Sequence, residues 1–395
     1  MSIDGESMER TRVMPPAWAL SEWPARSANW FATAPRAIRA GAGIVLVDAL
    51  LVALDKQPDA AVGWLALATI VAVTIATVVS LDGRPAAIAA TVVGNVAAVL
   101  ILDYGLHDVA QRGLNGLSLG AIYALGAVGL TLVYGILRLV NFAHGDLLTL
   151  GAYVAYVVNV SWGLPLVAGV VVAIVVTAAF SVALERAMWA PMRARGAGML
   201  QLLIMAIGLA FVIRYGIQFA WGTELRQLRV DSSAAVSFLG LRIGRTQLIV
   251  LLVGVAALLA TGLMLKRTLL GKRMRALSDS RDLAETSGID TSRVIMWTWI
   301  FAGALAGLAG VFAGAVTQLQ PELGFELLLP IFAAVVLGGI GNAFGALTAG
   351  LVLGLVIEWS TLVLPDGLKL IVGFVVLIVV LVIRPEGIFG RARTV

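Results

Sequence analysis

A succession of apolar stretches constrains this chain most, because each is close to the roughly 20 residues that an α-helix needs to cross a ~30 Å hydrocarbon layer. They occupy residues 37–54, 62–81, 86–102, 113–135, 144–160, 164–184, 199–220, 246–265, 297–317, 321–341, 345–364 and 367–383. A backbone in lipid must satisfy its own hydrogen bonds, so such a series folds as helices. The chain therefore reads as all-α, a polytopic transmembrane bundle of about 11–12 spans. Charge supports this: 13% of the 395 residues are charged, against about 25% in soluble chains. There are too few polar residues to cover a soluble surface. The first span contains Asp48, and 321–341 contains Pro330 and a Gly-Gly pair, which predict a broken or re-entrant segment.

Residues 1–36 read as a cytoplasmic N-terminal tail, with Trp18, Trp23 and Trp30 able to lie on the membrane. No apolar core follows within the first thirty residues, as a cleavable signal peptide requires. Residues 37–110 read as additional N-terminal transmembrane helices, 111–390 as the main transmembrane domain and 391–395 as a C-terminal tail. With 1–36 placed inside and twelve spans alternating, inside segments hold twenty Lys and Arg and outside segments seven, Arg214 alone falling within a span. That bias predicts both termini in the cytoplasm. It also accounts for the pI near 9.8 without nucleic acid, which would call for one basic face with interleaved aromatic residues.

The chemistry of an enzyme is missing from the sequence. There is no Cys, and the two His, His107 and His144, are too few for a metal cluster. No G-x-x-x-x-G-K-[ST] phosphate loop occurs. The reading therefore places no catalytic residue, metal or cofactor on this chain; if ATP drives it, hydrolysis happens on another chain.

Three segments stand out. Segment 266–293, KRTLLGKRMRALSDSRDLAETSGIDTSR, carries seven basic residues. It predicts a short helix started by Asp279 or Ser280 and ended by Gly288, with Met274, Leu277, Leu283 and Ile289 on its apolar side. It is either a solvated, topology-fixing loop or a docking helix for a cytoplasmic partner. In 134–152, Asn141, His144 and Asp146 interrupt apolar spans. Asn141 is placed to cap a helix and Asp146 to favour its first turn; the functional alternative is a bend lining the inner mouth of a pathway. In 335–354, Gly338, Gly339, Gly341, Gly345, Gly350 and Gly354 surround Asn342, and serve either close helix packing or a hinged gate. N-F-A-H-G at 141–145 and N-A-F-G at 342–345 form a faint echo of the kind inverted repeats leave. Within the spans, Asp48, Arg214, Glu326 and Glu358 are charged, and membrane-buried ionisable groups are functional candidates.

Three passages then carry a resemblance: GAIYALGAVGLTLVYGILRLVNFAHGDLLTLGAY (120–153), LGKRMRALSDSRDLAETSGIDTSRV (270–294) and AAVVLGGIGNAFGALTAGLVLG (333–354), with IRPEGIFG (383–390). From about Leu114 to Phe389 the chain resembles the LivH-type permease subunits of branched-chain amino acid ABC importers. The resemblance implies a second, homologous permease forming a heterodimer, two cytoplasmic ATPase subunits holding ATP and Mg, a periplasmic substrate-binding protein, and location in the bacterial inner membrane. It also implies that Gly271, Arg275, Ala276, Ala284, Gly288 and Ile289 belong to an ATPase-coupling loop. Asn141, His144, Gly145, Asp146 and Asn342 then lie near the translocation path. Branched-chain or related small amino acids are the expected substrates. Alternatives are an ion-coupled secondary transporter, or a permease of the same family for urea or short amides. The front of the chain departs from the family, which often begins near what is here residue 110.

Overall fold

A computed structural model describes residues 104–230 and 234–383, apart from 239, with isolated positions at 93, 96, 97, 100, 101 and 387. The tail 1–36 and spans 37–54 and 62–81 lie outside the described residues, as do most of span 86–102 and of 384–395.

Each of the nine later apolar stretches is helical. Helix α1 is Leu106–Leu137, and α2 is His144–Tyr156, prolonged by a π-helical turn Val157–Ser161. Helix α3, Leu166–Leu184, continues through a π-helical turn into α4, Ala190–Ala194, and α5 is Met199–Trp221. After an antiparallel hairpin of β1, Ala235–Phe238, and β2, Leu241–Gly244, comes α6, Arg245–Arg267. Two short helices follow, α7, Leu269–Asp279, and α8, Arg281–Thr286. The chain ends in α9, Thr291–Val316; α10, Leu323–Gly338; α11, Ala343–Ser360; and α12, Lys369–Ile383.

Among the described residues, six helices are long and apolar enough to cross a membrane: α1, α3 with its continuation, α5, α6, α9 and α11. The sequence suggested nine full spans here; α2, α10 and α12 are shorter. Outward-facing residues are apolar, including Val167, Val171 and Val175 of α3, Leu252 and Leu259 of α6, and Ile371 and Ile378 of α12. Water would penalise such faces and hydrocarbon accepts them.

The bundle has two ends. One carries the hairpin, where Gln111 of α1 exchanges hydrogen bonds with Arg242. The other carries α7 and α8, where Ser278 Oγ donates to Gly135 O at 2.9 Å. Helix α1 runs from the hairpin end to the loop-helix end, and α9 runs back. Each is followed by a six-residue non-helical linker (138–143 and 317–322) and then by a short helix that starts inside the bundle. Gly145 and Gly324 are the second residues of α2 and α10, and they pack backbone against backbone, each where a Cβ on the other would sit. The next partners correspond too. A Cβ on Gly350 of α11 would lie 2.5 Å from Ala124 Cα in α1, and one on Gly354 would strike Gly120. A Cβ on Gly307 of α9 would lie 2.9 Å from Thr177 Oγ1 in α3.

The order long helix, linker, half-helix, closely packed helix thus occurs twice with opposite direction. This is the arrangement of an inverted repeat. It moves the equivalence suggested by the echo of 141–145 and 342–345: the matching positions are Gly145 and Gly324.

Candidate functional site

The first site is the place where α2 and α10 begin. Arg138, with φ 53°, ends α1 in the left-handed conformation, which turns the chain back towards the bundle interior. Asn141 does not cap α2 as expected. The residue before the helix is Ala143, without a side-chain cap, while Asn141 Oδ1 accepts from the Ala143 N–H at 3.2 Å in a local Asx-type turn. The linker thereby satisfies its own backbone groups, which non-helical chain at membrane depth requires.

The depth of this turn follows from α1. His144 Nε2 lies 3.0 Å from Gly126 O. Gly126 is eleven residues from the loop-helix end of α1, which is ~17 Å at 1.5 Å per residue. Helix α2 therefore starts well inside the hydrocarbon layer. His144 is buried, and its Nδ1 has no hydrogen-bond partner.

Asp146, in the first turn of α2, is also fully buried. Its two oxygens accept from Arg214 Nε at 3.0 Å and Nη2 at 3.2 Å. This fork geometry is the strongest form of a carboxylate–guanidinium pair. Arg214 comes from α5, and its guanidinium carbon also lies 4.3 Å above the Phe325 ring of α10. One ion pair thus ties α2, α5 and α10 together. On the other side, Thr149 Oγ1 accepts from the Gly324 N–H at 2.9 Å, so a side chain of α2 satisfies the first turn of α10.

Helix α10 is continuous through Pro330, so Pro330 does not break it, whereas the Gly-Gly pair ends it at Gly338, three residues short of the expected end of the span. Its non-helical part is the preceding linker, where Leu319 and Arg226 exchange backbone hydrogen bonds at 2.8 and 2.9 Å.

The structure therefore unites Asn141, His144, Gly145 and Asp146, all of them buried. Asn342 stands apart at the loop-helix end, where its Oδ1 caps α11 by accepting from the Gly345 N–H at 3.1 Å. Gly341 there lies against Gly135, ~14 Å along α1 from Gly126. Gly339 and Gly341 have φ 86° and 88° in the turn between α10 and α11, and Gly338 packs on Gly345. Of the charged residues in the spans, Glu358 lies at the hairpin end and pairs with Lys369 Nζ at 2.9 Å. Glu326, in the first turn of α10, is exposed. Asp48 is outside the described residues.

The second site is the α7–α8 unit. Thr268 caps α7 by accepting from the Gly271 N–H at 3.1 Å. A Cβ on Gly271 would lie 2.5 Å from Leu265 Cα, so α7 folds back closely on α6. Ser280 Oγ accepts from the Leu283 N–H at 3.4 Å and caps α8, and Gly288, φ 77°, follows its end, as the sequence predicts. Asp279 is instead the last residue of α7, a helix that the sequence reading missed although Thr268 signals its start.

Met274, Leu277 and Ala284 are buried and Ile289 partly so, but Leu283 is 69% exposed, contrary to its expected place on the apolar side; Ala284 takes that place. Arg275 and Gly288 are exposed and Ala276 is half-buried. Arg138 Nη2 donates to Ser278 O at 3.4 Å, which joins α7 to the linker that leads into α2.

Glu285 accepts from Arg281 and from Thr291 Oγ1, both at 2.9 Å; Arg281, foremost, and Thr291 hold its carboxyl below the usual range. The stabilisation is present at neutral pH and is lost as pH falls through that lowered pKa. Circular dichroism of the full chain is expected to show little change between pH 7 and 5, because the pair is exposed to solvent.

Residues 113–381 match the family model described as branched-chain amino acid transport system / permease component. The chain is 34% identical to the high-affinity branched-chain amino acid transport system permease protein LivH of Salmonella typhimurium, over 71% of this chain and 95% of that protein. It is 32% identical to the corresponding permease protein BraD of Pseudomonas aeruginosa, over 72% and 97%. LivM of Escherichia coli, a permease protein of the same kind of system, is 25% identical over 75% of each chain. No solved structure matches. These relatives are transport permeases and not enzymes. With six helices among the described residues long and apolar enough to cross a membrane, the chain is a multi-pass membrane protein, and it belongs to the family of branched-chain amino acid transport system permease components.

Proposed function

We propose that this chain is the membrane-spanning subunit of an ATP-driven importer of branched-chain or related small amino acids in the bacterial inner membrane. It works with a second, homologous permease, two cytoplasmic ATPase subunits that hold ATP and Mg, and a periplasmic binding protein. The observation that carries this reading is the α7–α8 unit. A solvated, topology-fixing loop needs no capped helices or buried anchors. Here two capped helices are seated on the bundle by Met274, Leu277 and Ala284, and they present Lys272, Arg273, Arg275 and Leu283 outward. Such a unit can receive a push and pass it on through Ser278 and Arg138 to the end of α1.

Charge supports the orientation. Among residues 104–383, eleven Lys and Arg lie towards the loop-helix end, from Arg138 to Arg293, and six towards the hairpin end. The positive-inside rule then puts α7 and α8 in the cytoplasm, facing the ATPase subunits.

The test is co-purification of tagged chain in detergent with its ATPase subunits. Arg275→Glu reverses an exposed charge, and Gly288→Pro forces φ to about −65° where the chain needs a positive angle. Both are expected to remove the ATPase subunits while the chain still accumulates in the membrane. Isolation of the chain alone, with ion-dependent uptake in liposomes indifferent to ATP, would instead establish a secondary transporter.

A further inference from the structure

We propose that Glu326 receives the α-ammonium group of the transported amino acid midway across the bilayer; the assignment rests on the importer reading above. Glu326 lies in the first turn of α10, two residues beyond the Gly324 that packs on Gly145. Twelve residues separate it from Gly338 at the loop-helix end, ~18 Å along the helix. His144 lies at a similar depth, reached independently through α1. Glu326 is nevertheless exposed. Its Oε1 accepts from Gln320 Nε2 at 2.8 Å, and it has no ion-pair partner among the described residues. Arg214, the nearby cation, gives both Nε and Nη2 to Asp146.

A carboxylate at this depth is too costly to face hydrocarbon, so its side of the bundle lines a polar path. Asp146 and Arg214 cancel each other, which leaves Glu326 and Glu322, the residue just before α10, as the carboxylates at the crossing without an ion pair among the described residues. Of the two, Glu326 is the exposed one and Glu322 is half-buried. An anionic group in that position selects a cationic one. The surroundings supply the other half of the selection. Phe325, the residue before it, is 46% exposed, and its ring and that of the 47% exposed Phe211 flank the Arg214 guanidinium carbon at 4.3 and 5.8 Å, with Tyr215, 60% exposed, stacked on Phe211. A small zwitterion with an aliphatic side chain meets both requirements, its ammonium on Glu326 and its side chain on the aromatic rings. The buried Asn141, His144 and Asp146 hold the turn that positions this surface and do not reach a solute themselves.

The test uses the complete importer in proteoliposomes, with its unmodified binding protein and radiolabelled leucine. Loss of a charged hydrogen-bond partner corresponds to about ten- to hundredfold. Glu326→Gln is therefore expected to lower leucine uptake by about that factor, with subunit composition and basal ATP hydrolysis unchanged. Glu326→Asp keeps the charge and is expected to recover part of the rate with a raised KM. The binding protein is the same throughout, so its own selectivity cancels. Wild-type uptake by Glu326→Gln overturns the proposal, as does a wild-type KM in Glu326→Asp. Loss of the second permease from Glu326→Gln also overturns it, because Glu326 would then be an interface ion pair. A wild-type importer that moves urea or amides and no amino acid refutes the underlying reading instead, and that outcome is visible before any variant is made.

Discussion

Asp146→Ala is expected to lower the stability of the solubilised protein by about 3–5 kcal/mol, because it leaves a buried guanidinium without its counter-charge. Asp146 is fully buried and Arg214 nearly so, and their two hydrogen bonds join α2 to α5. The converse variant, Arg214→Ala, strands the carboxylate and is expected to cost a similar amount. Removing both charges with a side chain of similar volume, as in Asp146→Leu with Arg214→Met, is expected to restore much of the loss, since a buried pair and its apolar replacement are often close in energy. Thermal unfolding followed by tryptophan fluorescence in detergent measures all three. If the double variant is as unstable as either single one, the pair is not what holds these helices together. Transport separates a further role: a double variant that is stable yet inactive shows that the polar pair serves the path as well as the fold.

Gly354→Leu is expected to be about as damaging, for a different reason. Helices α1 and α11 touch through backbone, with a Cβ on Gly120 only 2.9 Å from Leu351 Cα and one on Gly354 striking Gly120 itself. No flexible side chain stands there to move aside, so the helices must separate along their length. Overpacking of this kind costs about 3 kcal/mol or more. Gly354→Ala distinguishes the two readings of the glycine ladder. If the glycines serve a hinge, Ala favours the helix by up to about 1 kcal/mol and stabilises the resting protein. If they serve contact, Ala already destabilises it. The geometry favours contact at Gly350 and Gly354, and the same melting experiment reports the sign.

Much of the fold was legible because hydrocarbon is a simple selector. Leu, Val, Ile and Ala in runs of about twenty leave little choice of structure, so helices fall where the runs are. The caps were legible where chemistry is local: Ser280 and Gly288 act on residues within four positions of themselves. Asn342 is likewise a local cap. Asn141 misled because an Asn before a helix can bond either a helical N–H or the N–H two residues on, and only the path of the linker decides.

The partnership of Asp146 with Arg214 was hidden for a related reason. Sixty-eight positions separate them, and no local pattern links a first-turn acid to an arginine on another span. The hairpin at 235–244 was missed although its alternation and the two-residue turn containing Gly240, φ 83°, are a recognisable signal. The depth of Glu326 could not be read at all. It depends on where the linker 317–322 ends and α10 begins, and apolar composition runs smoothly across that point.

The crossing of Gly145 on Gly324 has a mechanical consequence. Side chains that interdigitate must be lifted out of their sockets before two helices can turn against each other. Where the two glycines meet, the surfaces are bare backbone and there is little to lift; rotation there works chiefly against the Thr149 Oγ1–Gly324 N–H hydrogen bond and the Arg214 contact with Phe325. The crossing therefore resists pulling apart more than swivelling, and those two ties set how far a swivel can go. Helices α2 and α10 can move like the blades of a pair of scissors about this pivot, widening one end of the bundle as the other narrows. Helices α1 and α11, packed backbone to backbone, act as one piece beside this pivot.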